Sequence, residues 1–142
     1  MSTFHGRHYQ TGEYVEVTSE GSIISDISEV NHAADFFIAP GLVDIQVNGY
    51  LGVEFTAADL TGDEISSAAS AMYREGVTTY LPTIITTSKE RLIRNFRILA
   101  DASEEPDLKE TIPGFHLEGP YISPEDGFRG AHSEEWVKPP DW

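Results

Sequence analysis

The sequence has no cysteine, few basic residues and no long hydrophobic run, and each absence excludes a class of structure or function. Without cysteine, the chain cannot form disulfides or bind a metal through thiolates. No apolar run approaches the ~20 residues that cross a bilayer, so we expect no membrane insertion. The polar first ten residues do not resemble a signal peptide, and the expected compartment is therefore the cytoplasm.

Acidic residues outnumber basic residues by 24 to 9, which gives a formal net charge of −15 at pH 7. Such a charge repels nucleic acid and anionic lipid, so we expect neither as a partner. Four of the basic residues fall in one predicted helix: Lys89, Arg91, Arg94 and Arg97. We favour a solvated helix face over a binding patch for these four side chains.

Three short segments rich in β-branched or aromatic residues open the chain, at positions 3–9, 13–18 and 22–30. Glycine-containing turns separate them, so they predict a small antiparallel sheet. The Pro40-Gly41 turn then marks a domain junction. We therefore divide the chain into residues 1–39 and residues 40–142.

The segment 42–48 alternates apolar and polar residues, which predicts a strand that directs Asp44, Gln46 and Asn48 to one face. A helix follows it, with capping-box spacing at Thr61 and Glu64, and ends at Gly76. A second helix begins after Ser88 and ends at residues 104–106. The predicted apolar sides are Ile65, Ala68, Ala69 and Met72 in the first helix, and Leu92, Ile93, Phe96, Leu99 and Ala100 in the second.

Two further strands are predicted at residues 77–85 and 111–118, and Pro82 is expected to limit regular pairing to the residues before it. The order strand, helix, strand, helix, strand favours parallel pairing. This is an α/β fold and the start of a (β/α)₈ barrel. A closed barrel needs about 250 residues and eight strands, so the barrel is expected to be incomplete.

The candidate chemical groups lie at the ends of the predicted strands. His116 and Glu118 share one face of the third strand, and Glu118 suits a carboxylate ligand, an acid–base group or a solvated acid. For His116 we favour a hydrogen-bonded packing histidine over a ligand. The amides of Gln46 and Asn48 could contact a metal-bound water or a substrate carbonyl, or satisfy loop backbone groups.

His132 lies in a glycine-rich loop about fourteen residues beyond Glu118, where a histidine taken alone is usually exposed. The sequence contains no nucleophile elbow, no P-loop and no dinucleotide-binding glycine motif. Acyl-serine and nucleotide chemistry therefore have no support.

Three segments in this order resemble the N-acetylglucosamine-6-phosphate deacetylase family of the amidohydrolase superfamily. They are APGLVDIQVNG at 39–49, TTYLPTIITT at 78–87 and FHLEGPY at 115–121, followed by Gly130-Ala131-His132. The resemblance implies a (β/α)₈ barrel flanked by a small β-sandwich, to which residues 1–39 contribute. It also implies a hydrolase of amino-sugar metabolism that converts N-acetylglucosamine 6-phosphate to glucosamine 6-phosphate and acetate.

The resemblance also implies roles for particular residues. Glu118 would bind the metal, whereas Ala131 and His132 would contact the substrate. Gln46 and Asn48 stand where many amidohydrolases have His-x-His. This implies one divalent metal, either zinc, iron, manganese or cobalt, whose bound water lies near these two amides.

His116 would belong to the surroundings of that metal. The two histidine ligands and the aspartate that acts as general base would lie beyond residue 142. We therefore expect a truncated fragment that is inactive alone, and a homodimer if the protein is full length. The alternatives are a non-catalytic remnant that pairs with an intact barrel, or an amidohydrolase acting on another N-acetylated sugar phosphate or a cyclic amide.

Overall fold

The structure is a computed structural model that describes residues 1–31 and 33–140. The chain divides into two compact units, one ending at Pro40 and one beginning at Gly41. Among the described residues, no helix has the length and apolar character needed to span a membrane.

The first unit is a four-stranded sheet in the order β3-β2-β1-β4. Its strands are β1 (Ser2–His8), β2 (Tyr14–Glu20), β3 (Ile23–Glu29) and β4 (Phe37–Ile38). The first three pair antiparallel, as the three segments predicted, whereas β4 pairs parallel to β1 and was not predicted. Val15 and Val17 of β2 are buried, while every residue of β3 is exposed.

The second unit contains a parallel three-stranded sheet connected by two helices. Its elements are β5 (Leu42–Val47), β6 (Gly49–Tyr50), β7 (Val53–Glu54), α1 (Gly62–Arg74), β8 (Val77–Ile85), α2 (Lys89–Ser103), β9 (His116–Glu118) and a 3₁₀ helix (Glu134–Trp136). The sheet order is β5-β8-β9, and β6 pairs with β7 in a short hairpin. The predicted order of strands and helices, and their parallel pairing, are confirmed.

Helix α1 begins and ends where the sequence predicted. Thr61 Oγ1 accepts a hydrogen bond from the Glu64 backbone N–H at 3.3 Å, and Glu64 Oε2 accepts from the Thr61 N–H at 2.8 Å. Gly76 follows the C-cap with φ +86°, a conformation that glycine adopts without strain. The buried face is the predicted stripe Ile65, Ala68, Ala69 and Met72, which packs with Tyr80 and Ile84 of β8 in one core.

Helix α2 begins at the predicted cap, Ser88, but its buried face differs from the prediction. Ile93 is 44% exposed and Ala100 is also exposed, whereas the polar Asn95 is fully buried. The Asn95 amide donates to the carbonyls of Phe55 and Ala57, at 2.9 and 2.8 Å. The buried face of α2 therefore includes a polar residue that the apolar pattern did not predict.

Two strand predictions were wrong. Pairing does not stop at Pro82, because β8 changes partner there: residues up to Pro82 pair with β5, and Thr83–Ile85 pair with β9. The third strand is also shorter than 111–118, since only His116–Glu118 are regular. Pro113 has no N–H to donate, which is consistent with the irregular backbone before His116.

The hydroxyl of Tyr80 is buried in the core and has no hydrogen-bond partner among the described residues. Burial raises the pKa of Tyr80 well above its ordinary value, and the nearby Tyr73 raises it further. The group therefore stays neutral, and its burial has a cost that no hydrogen bond offsets. By contrast, the Tyr73 hydroxyl bonds to Thr111 Oγ1 and to the Asp107 carbonyl.

We expect Tyr80→Phe to leave the free energy of unfolding unchanged or to raise it by up to about 1 kcal/mol, because it removes a buried hydroxyl without a partner. The matched control Tyr73→Phe should lower it by about 1 kcal/mol, since it removes hydrogen bonds. Urea denaturation followed by circular dichroism measures both. A loss above 1 kcal/mol in Tyr80→Phe would show that the Tyr80 hydroxyl has a partner.

Candidate active site

Glu118, the last residue of β9, receives hydrogen bonds from two other parts of the second unit. Its Oε2 accepts from the Gln46 side-chain amide at 2.8 Å. Its Oε1 lies 3.2 Å from Nε2 of His132. Gln46, Glu118 and His132 were each singled out from the sequence, and the structure brings them together. Gln46 and Glu118 lie at the carboxyl ends of β5 and β9, and His132 lies in the loop that follows β9.

A bulge between Asp44 and Val47 of β5 includes Gln46. Asp44 pairs with Tyr80 and Val47 pairs with Pro82, so three steps along β5 match two along β8. Bulges of this kind redirect side chains and often lie next to active sites. The regular alternation that the sequence predicted for residues 42–48 does not hold here, and Asp44 Oδ1 instead accepts from the Gln46 backbone N–H at 3.0 Å.

The turn after β9 requires a residue without a side chain. Gly119 has φ +82°, and a Cβ on it would lie 2.0 Å from Oγ1 of Thr86. Thr86 follows β8 directly and is buried, and its Oγ1 lies 3.3 Å from the Glu118 carbonyl oxygen. Thr86 was not singled out from the sequence, although a polar residue at the carboxyl end of a buried parallel strand is a usable signal.

His132 is not the exposed loop histidine that its position suggested, since its side chain is only 13% exposed. Its Nδ1 lies 2.9 Å from Thr86 Oγ1, and its carbonyl accepts from Arg129 Nη1 at 2.6 Å. The Arg129 guanidinium also lies near the carboxylates of Asp126 and Glu134, at 3.7 and 4.0 Å. Arg129 therefore connects residues on both sides of it in the loop after β9, between Asp126 and Glu134. It was not selected from the sequence.

A cavity of about 420 Å³ opens beside Glu118 and His132. Its lining is Asn48, Ile85, Glu118, Ile122, Phe128, Arg129, Gly130, Ala131 and His132. Asn48 and Ala131 are thus neighbours of the carboxylate. His116 does not line the cavity, and its Nδ1 lies 3.1 Å from the carbonyl of Ile45.

Comparison with known proteins identifies the lineage, although no family model matches the chain. The N-acetylglucosamine-6-phosphate deacetylase of Bacillus subtilis is 34% identical over 116 residues, which are 80% of this chain and 28% of that protein. The solved structure of the Thermotoga maritima deacetylase superposes with a TM-score of 0.75 at 31% identity, over 89% of this chain and 32% of that chain. This chain matches the N-terminal part of N-acetylglucosamine-6-phosphate deacetylases.

The chain spans about a quarter to a third of the length of the curated deacetylases that it matches. A variant of the Mycobacterium smegmatis deacetylase, solved in complex with N-acetyl-D-glucosamine-6-phosphate, is 29% identical with a TM-score of 0.69, over 90% of this chain and 33% of that chain. The deacetylase resemblance expected from three sequence segments is confirmed. The mixed α/β character is confirmed as well, because the two solved deacetylase structures superpose on 89% and 90% of this chain.

The residues that the structure describes fit one position of a metal site and not a complete site. Within residues 1–31 and 33–140, no three His, Asp or Glu side chains are grouped so that they could hold a metal ion. A catalytic zinc site uses three protein ligands, whereas the described residues provide one carboxylate at this position, that of Glu118. Glu118 is chemically suited to a divalent cation, because carboxylate oxygens bind such ions.

Proposed function

We propose that residues 1–142 form the N-terminal part of a metal-dependent deacetylase that hydrolyses N-acetylglucosamine 6-phosphate to glucosamine 6-phosphate and acetate. One observation carries the proposal: the Glu118 carboxylate lies at the carboxyl end of a parallel strand, between Gln46 and His132. Barrel enzymes place their chemistry at this end of the strands. The Mycobacterium smegmatis deacetylase was solved in complex with N-acetyl-D-glucosamine-6-phosphate, which supports the same substrate for this proposal.

In this proposal Glu118 provides one ligand to a single divalent cation. A bound zinc, iron, manganese or cobalt ion would polarise the acetamide carbonyl and make an attacking water more acidic. Gln46 donates to Oε2 and so orients the carboxylate. Two further ligands and the general base would come from outside residues 1–142.

The cavity beside Glu118 is the proposed site for the sugar. His132 lines it together with the adjacent Ala131 and with Asn48. An imidazole N–H donor suits a sugar hydroxyl or the acetamide oxygen. The 420 Å³ volume lies within the usual range of about 300–1,000 Å³ for small-molecule sites.

The proposed architecture is a barrel that begins at residue 40, with residues 1–39 contributing to a small β-sandwich. In the second unit, Leu42, Val43 and Ile45 of the edge strand β5 are each more than 60% exposed. Apolar residues on the edge of a parallel sheet are normally covered, and further barrel strands would cover them. The homodimer implied by the resemblance also remains a prediction.

Two proteins test the proposed function: the 142-residue chain, and a fusion in which residues 1–142 replace the matching segment of the Bacillus subtilis deacetylase. The chain alone should bind metal weakly and release no acetate above background, because it carries one ligand. The fusion should hold about one metal per chain and release acetate from N-acetylglucosamine 6-phosphate. Metal analysis and an enzymatic acetate assay measure both quantities.

Turnover by the chain alone at an ordinary enzymatic rate, about 1 s⁻¹ or faster, would contradict the expected inactivity. A fusion that binds metal but prefers another N-acetylated sugar phosphate or a cyclic amide would show that this other compound is the substrate. A folded fusion that binds no metal and releases no acetate would favour a non-catalytic remnant.

A further inference from the structure

The imidazole of His132 is held on both of its nitrogens. Nε2 faces Glu118 Oε1 at 3.2 Å, and Nδ1 faces Thr86 Oγ1 at 2.9 Å. An ionised carboxylate only accepts hydrogen bonds, so Nε2 must carry the proton in this contact. In the neutral ring Nδ1 is then the acceptor, and the Thr86 hydroxyl is the donor that faces it.

Thr86 connects the two residues on which the proposed chemistry depends. Its Oγ1 lies 2.9 Å from the His132 ring and 3.3 Å from the Glu118 carbonyl. The Thr86 hydroxyl has only one proton to donate. While the His132 imidazole is neutral, this proton lies in the shorter contact, between Oγ1 and Nδ1. This close approach exists because Gly119 has no side chain, since a Cβ there would overlap Oγ1.

The backbone and the ring of His132 are fixed by different residues. Arg129 binds the His132 carbonyl at 2.6 Å and thereby places the loop, but this backbone contact does not orient the ring. The ring is oriented by the contact of Nδ1 with Thr86 together with that of Nε2 with Glu118. Such contacts to the second nitrogen of a functional histidine determine which nitrogen is presented to the site.

We propose that Thr86 is a positioning residue of this site: its hydroxyl holds His132 so that the Nε2–H edge faces Glu118 and the substrate cavity. The proposal rests on the deacetylase function proposed above. Valine has the same branched shape as threonine and would pack equally well at position 86. The positioning role therefore depends on the hydroxyl alone, which makes Thr86→Val the isosteric test and Thr86→Ser the variant that restores the hydroxyl.

The first experiment measures the His132 ring nitrogens of the 142-residue chain by ¹⁵N NMR at one fixed neutral pH. In Thr86→Val the Nδ1 resonance should move to the position of an imidazole nitrogen without a hydrogen bond, whereas in Thr86→Ser it should stay near the parent value. A matching amide spectrum for all three proteins shows that the fold is retained. An unchanged Nδ1 resonance in folded Thr86→Val would overturn the proposal.

The second experiment measures deacetylation by the fusion enzyme. Thr86→Val should lower kcat/KM by about 10- to 100-fold, as for other residues that orient functional histidines, and Thr86→Ser should stay within about threefold of the parent. In a His132→Ala background, Thr86→Val should cause no further loss. Losses that add independently would assign Thr86 a purely structural role and overturn the proposal.

The two experiments separate this proposal from the function on which it rests. If the fusion does not release acetate, the proposed function fails and the catalytic role of Thr86 fails with it. The ring-nitrogen measurement still decides whether Thr86 holds His132, because it requires neither metal nor substrate.

Discussion

Replacing Glu118 with glutamine in the fusion enzyme is expected to remove most of the bound metal and to lower kcat for deacetylation at least about a hundredfold. The substitution keeps the size of the side chain but replaces an anionic oxygen ligand with a neutral amide. A metal supplies several kcal/mol of transition-state stabilisation, and each 1.36 kcal/mol lost is a factor of ten in rate. Metal analysis of the purified protein and initial rates of acetate release measure the two effects.

Glu125→Gln is the matched control, because Glu125 is an exposed carboxylate in the loop that follows Glu118. It makes the same change in charge and should retain the metal and the activity of the parent fusion. Equal metal content and equal rates in Glu118→Gln and the parent would remove Glu118 from the proposed metal site. A loss in both variants would indicate a general effect of charge on this loop.

Local signals in the sequence predicted the backbone of the second unit well. The capping box at Thr61, the glycine at position 76 and the four-residue apolar stripe of α1 all depend on neighbours within one or two helical turns. Such features can therefore be read from the local sequence. The order of strands and helices followed from the same local patterns, and parallel pairing followed from that order.

The incorrect predictions for α2, β5 and β8 have a different origin. Each of the observed features depends on contacts between residues that are distant in sequence. Asn95 is buried because carbonyls about forty residues earlier accept from its amide, and no helical pattern contains that information. The bulge that includes Gln46 depends on the register of β5 against β8. Pro82 is tolerated because β8 exchanges one neighbouring strand for another at that residue.

In the candidate site, too, local patterns identified some residues, whereas contacts between distant residues could not be predicted. A strand-end position and a family motif were enough to select Glu118, and the motif also selected His132. The contact between them could not be predicted, because it requires the loop to close through Arg129 and the turn at Gly119 to admit Thr86. Thr86 and Arg129 were missed because their roles are defined by what they contact and not by a local pattern.

Asn95→Asp is expected to be among the most destabilising isosteric changes in the second unit. The asparagine amide is fully buried and donates to two carbonyl oxygens, at 2.9 and 2.8 Å. Aspartate would place an oxygen that carries no proton against these two acceptors, leaving both carbonyls without a donor and repelling them. Arg94, which donates to Oδ1 of Asn95 at 3.0 Å, would offset part of the new charge.

We therefore expect Asn95→Asp to lower the free energy of unfolding by about 2–4 kcal/mol, given about 1–3 kcal/mol for each buried polar group left unsatisfied and the partial compensation by Arg94. Asn31→Asp adds the same charge at an exposed asparagine and should change the stability by less than about 0.5 kcal/mol. Chemical denaturation at pH 7 compares the two variants with the parent chain. Equal midpoints for both variants would show that the amide of Asn95 does not hold the β7–α1 loop. A selective loss in Asn95→Asp would instead show that a polar residue absent from the predicted apolar stripe anchors helix α2 to the core.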